Sequence, residues 1–162
     1  MTHRKPILRT HKVDNTAVFF ATTSIVRFAY AVLALLLLHV LRPDYAPVHH
    51  FIRDYAVGRY GWVMTTWFLA MGSGCLMLLL GLVCSGPTLV TARIGTLVLG
   101  VASIGLVVSA IFPTDVRLPT TRAGEIHDTS FLVNIGSILL AIVLLSASFG
   151  SQPRWRPTGA LP

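Results

Sequence analysis

Charge is scarce in this chain. Only 12% of its 162 residues are Asp, Glu, Lys or Arg, where a soluble domain carries roughly a quarter, so an ordinary water-soluble globule is excluded. Cysteine is nearly absent. Cys75 and Cys84 fall on one expected helix about 13.5 Å apart along its axis, beyond disulfide reach, which leaves them packing roles. Segments of about ten alternating residues are missing, which excludes a transmembrane barrel. There is no His-Glu-x-x-His pair, no internal repeat, no soluble second domain and no low-complexity stretch. No signal peptide is expected, because the first apolar run starts late, is too long for an h-region and lacks a cleavage site after it. Intramembrane charge is sparse and no broken helices face each other at mid-depth, which argues against transport.

What is present is apolar: 54% of residues and a mean hydropathy of +0.71. Four runs stand out, Val18 to Leu41, Trp62 to Cys84, Ile94 to Phe112 and Phe131 to Phe149. Each is near the roughly 20 residues a helix needs to cross a hydrocarbon core. The expectation is an all-α membrane protein, a four-transmembrane-helix bundle over 17–149, with a basic tail at 1–16 and a flexible tail at 150–162. Small residues at four-residue spacing (Ala70 and Gly74, Gly105 and Ser109, Ser137 and Ala141) predict close helix packing. Asn134 is expected to hydrogen-bond a neighbouring helix.

The net charge of +7 does not point to nucleic acid, because the basic residues flank the apolar runs. Arg4, Lys5, Arg9, Lys12, Arg93, Arg154 and Arg156 fall on the side of the termini. Arg42, Arg53, Arg59, Arg117 and Arg122 fall on the other, offset by Asp44, Asp54, Asp115, Glu125 and Asp128. The positive-inside rule then places both termini in the cytoplasm, in an inner or plasma membrane. Arg27 is expected about five residues inside the cytoplasmic boundary, its stem snorkelling to the headgroups. In the first outer loop, 49–57 reads as a short interfacial helix followed by turns at Gly58 and Gly61.

This topology gathers His39, His49, His50, Arg53, Asp54, Asp115, Arg122, Glu125, His127 and Asp128 at the outer face. Phe112-Pro113 ends the third helix, Gly124 reads as a turn, and Asp128, Thr129 or Ser130 as the N-cap of the fourth helix. The stretch His50 to Trp62, the corner Phe112-Pro113-Thr114-Asp115 and Gly124-Glu125-Ile126-His127 resemble the bacterial integral membrane proteins grouped as domain of unknown function 998. The resemblance implies a helical bundle with a polar site built from Asp54, Asp115 and His127, and brings no established reaction.

Three functional classes fit these residues. The first is an accessory or assembly subunit, or a lipid-binding module, in which the polar residues make ion pairs and caps; its partners are membrane lipids, a larger membrane complex or a second copy. The second is a hydrolase or transferase acting on a lipid or isoprenoid. There His127, Asp115 and Asp54 are the catalytic candidates, His50, Asp115 and His127 the metal candidates, and Arg53, His50, Arg122, Glu125 and Trp67 the binding residues. The third is a b-type haem protein with His39 and His127 as axial ligands. Charged clusters near an interface are more often satisfied structure than catalysis, so the first is preferred.

Overall fold

The computed structural model describes residues 14–45, 48–85, 89–116 and 119–151. The basic tail before Asp14, the Gly86-Pro87 turn and the proline-containing tail with Arg154 and Arg156 lie outside the described residues. Four helices carry the fold: α1 (Asn15–Leu41), α2 (Gly61–Cys84), α3 (Val90–Ile111) and α4 (Arg122–Gly150). All four are long and apolar enough to cross a membrane. The chain is therefore a multi-pass membrane protein of all-α class.

The radial pattern is that of lipid as solvent. Large aliphatic side chains point outward, with Leu97 71% and Ile104 68% exposed, while the interior is built of small and hydroxyl residues such as Ala31, Ala102, Ser103, Ser109 and Ala141. Small residues let backbones approach where dispersion and interhelical hydrogen bonds must replace a hydrophobic drive.

Helices pack in chain order, α1 on α2, α2 on α3 and α3 on α4, as antiparallel neighbours. The middle of α2 shows how. Gly74 accepts a hydrogen bond at its carbonyl from Ser24 of α1 (2.9 Å), and Gly72 accepts one from Ser103 of α3 (2.8 Å). The missing side chain at Gly72 leaves room for the Ser103 backbone, and that at Gly74 for the Phe28 ring. Between α3 and α4, Ser109 and Ser130 share a 2.7 Å hydrogen bond, and Asn134 donates to Ser109 (3.2 Å), the interhelical role expected of it. Gly105 faces the Asn134 amide oxygen so closely that no side chain fits there.

Two departures from the sequence reading matter. The fourth helix begins at Arg122, well before the apolar run at Phe131, and its N-cap is Thr121 rather than a residue among 128–130. Gly124 is therefore helical, not a turn. In the α1–α2 connection a short 3₁₀ helix, Ile52–Ala56, forms inside the expected 49–57 segment, and its Asp54 and Tyr55 are buried. Gly58 is a turn residue, with a positive φ of 84°. Gly61 opens α2.

Candidate functional site

Both long corners, α1–α2 and α3–α4, lie at the same end of the bundle, opposite the α2–α3 turn. At the α3–α4 corner Pro113 biases Phe112 towards extended backbone, and Phe112 adopts φ −99° and ψ 111° as the C-cap of α3. Its carbonyl is left outside the helical ladder. Beyond it, Asp115 turns its carboxylate onto the first turn of α4, where it accepts from the Thr121 backbone N–H (2.6 Å) and the Thr121 hydroxyl (3.0 Å). The same hydroxyl accepts from the Gly124 N–H (3.2 Å). An anion at a helix N-terminus is favoured by the unpaired N–H groups and the dipole. Gly124 is required because a Cβ there would collide with the Asp115 carboxylate.

One turn further on, His127 is 0% exposed. Its Nδ1 lies 2.8 Å from the Phe112 carbonyl; a carbonyl only accepts, so Nδ1 carries the hydrogen and donates it. The ring meets Phe68 of α2 edge to face, 5.5 Å between centroids. His127 thus ties three helices together. Its Nε2 is buried and has no hydrogen-bond partner among the described residues, so it touches neither Asp115 nor Asp54. The three catalytic candidates share one end of the bundle but are not assembled as a proton-relay.

The neighbouring residues are engaged in their own structure. Arg53 pairs with Asp128, joining the 3₁₀ segment to α4, and its guanidinium lies near the Phe51 and Phe131 rings. Asp54 accepts from the Phe51 N–H (3.0 Å), with His50 Nδ1 at 3.7 Å, and the His50 ring stacks obliquely on Tyr45. Trp67 is half-buried against Phe68 in α2.

The residue that sequence reading missed is Arg42. The sequence reading counts it only among the basic residues of the outer side. In the structure it is the C-cap of α1 and only 8% exposed. Its guanidinium donates to the carbonyls of Val57 (3.0 Å) and Arg59 (3.0 Å) and to the Asp44 carboxylate, and it lies 4.0 Å from the Tyr45 ring centroid. The hydrogen bond to Asp44 raises the Arg42 pKa and holds the Asp44 carboxyl below its usual range. Burial pushes the Tyr55 phenol up. The available signal was an arginine directly after the last apolar residue of a helix, where a cation complements the C-terminal carbonyls.

Arg122 and Glu125 face elsewhere. Both line an open groove of about 540 Å³ between α3 and α4, with Ile104, Val108, Ile126 and Val133 among its apolar walls. They are the charged residues of that groove and lie one turn apart at the corner end. A second groove, of about 470 Å³, runs along α1 beside Arg27.

The residues present do not fit the two cofactors weighed above. Among the described residues no three His, Cys, Asp or Glu side chains are gathered as a metal needs, and His50, Asp115 and His127 each serve a different local partner. For haem, the His39 ring is packed on Tyr55. Neither groove is lined by His39 or His127.

Residues 25–161 match the family described as "Protein of unknown function (DUF998)". No curated protein and no solved structure matches the chain.

Proposed function

We propose that this chain, which belongs to the DUF998 family, is a non-catalytic membrane module that binds an amine-bearing phospholipid in the α3–α4 groove. The observation that carries the reading is that Arg122 and Glu125, one turn apart at the start of α4, both line a groove whose walls are largely apolar. Val101, Ile104, Val108 and Val133 offer an acyl chain a wall, Arg122 offers a guanidinium to the phosphate, and Glu125 offers a carboxylate to the ammonium. A zwitterionic head with both charges matches this pair better than an anionic head, which Glu125 repels. The corner residues support the site indirectly: Asp115, Thr121 and Gly124 fix the first turn of α4, from which both charged side chains project.

Native mass spectrometry from mild detergent with added phosphatidylethanolamine or phosphatidylglycerol tests this. The ethanolamine lipid is expected to be retained at least several-fold better, with Glu125→Gln narrowing the preference and Arg122→Gln weakening both lipids. Equal retention of the two lipids by the unaltered chain and by both variants would remove the reading.

Lipid hydrolysis or transfer is the second reading, favoured by one observation: the buried, unpartnered His127 Nε2 and Thr114 hydroxyl at the same corner. A labelled lipid turned over by the unaltered chain but not by His127→Gln would establish it in place of the first.

A further inference from the structure

Arg27 lies near the centre of the membrane, on a face of α1 that the rest of the bundle leaves open. Its depth follows from three contacts. Arg27 and Ser24 meet Gly74 of α2, Gly72 of α2 meets Ser103 of α3, and Ser103 is the midpoint of the apolar run Ile94 to Phe112. That midpoint is about 14 Å from either end of the run. Along α1 itself, Arg27 stands about 18 Å from Asn15 and about 21 Å from Leu41. A helical side chain leans towards the N-terminus, which moves the charge by about one turn, roughly 5 Å, and leaves it inside the hydrocarbon. The snorkelling expected from sequence does not reach the headgroups.

The guanidinium has no hydrogen bond, ion pair or ring contact among the described residues. It lies on the exposed side of α1, in the groove formed with Phe19, Thr22, Thr23, Val26 and Tyr30. Among those residues α1 packs extensively on α2 and on no other helix. A cation at this depth faces bundle interiors or partners rather than lipid. Its counter-charge cannot come from a second copy: all six acidic residues, Asp14, Asp44, Asp54, Asp115, Glu125 and Asp128, lie at the helix ends or in the connections.

We infer that this face of α1 docks a transmembrane helix of another protein, one carrying an Asp or Glu near its own midpoint that pairs with Arg27. Thr22 and Thr23, both beside Arg27 in the groove, supply further hydroxyls for interhelical hydrogen bonds.

The test uses the full chain in phosphatidylcholine vesicles at pH 8 with synthetic Leu/Ala transmembrane helices whose central residue is Asp, Asn or Leu, association being read by energy transfer. The Asp helix is expected to associate at least tenfold more tightly than the Leu helix. R27K should keep that preference, R27L should abolish it, and R27E should transfer it to a Lys-centred helix, which shows that the variants remain folded. Equal association of all probes with the unaltered chain would overturn the inference in favour of local hydration of the charge. Arg27-dependent pairing of two labelled copies, with indifference to the Asp helix, would overturn it in favour of self-association.

Discussion

The α1–α2 and α3–α4 connections sit at the same end of the bundle and solve one problem with opposite charges. A helix leaving the apolar layer exposes unpaired carbonyls at its C-terminus and unpaired N–H groups at its N-terminus. The first connection places a cation, Arg42, at the C-terminus of α1, its backbone N–H on the Leu38 carbonyl and its guanidinium on carbonyls across the loop. The second answers the N-terminus of α4 with an anion, Asp115, bonded to Thr121. The two differ in tolerance. Arg42 reaches its acceptors through a long stem that can adjust, whereas the short Asp115 side chain is pressed onto Gly124, where there is no room for a methyl group.

That difference predicts where a single methyl group does most harm. Gly124→Ala should cost about 3 kcal/mol, because overpacking and loss of a charge-assisted bond fall on one turn. Gly136→Ala, where an added Cβ meets nothing within 4 Å, should stay within about 0.5 kcal/mol. Thermal unfolding in detergent measures both. Equal stability of the two variants would show that the α3–α4 corner is as adjustable as its counterpart.

His127→Leu comes next. It leaves the Phe112 carbonyl without its donor, which costs about 2 kcal/mol, although the volume is nearly kept. A merely catalytic histidine would leave unfolding unmoved, so the same melting experiment separates a buried strut from a reactive group.

The four helices were legible because each apolar run is long enough to span and lacks competing strand alternation. The start of α4 was not, because the turns carrying Arg122, Glu125 and Asp128 are polar: this part of the helix is specified by the cap of Thr121 and by Asp115, not by hydropathy. The corner residues were recognisable as a group, and their shared end of the bundle is what the topology implied. Hidden was the reason for their spacing, which is that Gly124 makes space for Asp115 and His127 reaches back to Phe112. Arg42 was hidden for another reason, since its acceptors are backbone carbonyls of Val57 and Arg59, which no side-chain pattern reveals. The depth of Arg27 needed contacts from two further helices.

Arg42→Met sharpens the contrast from the other side. It should cost about 1–2 kcal/mol through the carbonyls it leaves unpaired, and the loss should be local. Hydrogen exchange is expected to rise across 52–61 and to stay unchanged across 112–128. Exchange rising equally in both segments would mean that the corners are one unit, joined through the Arg53 and Asp128 pair.

The smallest effect is that of acid on the same loop. The Asp44 carboxyl is held below its ordinary range by Arg42, so its contribution is fully present above the unfolded carboxylate value of about 3.9 and is lost as pH falls through the lower, folded value. Protonation removes one partner of Arg42 but leaves its two carbonyl acceptors, and Asp44 is largely exposed, so the loop should loosen without opening. Exchange at the backbone of 57–60, corrected for the intrinsic pH dependence, should rise modestly as pH falls below about 4 in the unaltered chain. Asp44→Asn should show the raised rate already at neutral pH and no further rise in acid. A rise of the same size in that variant would show that the Asp44 carboxyl is not the source of the acid sensitivity.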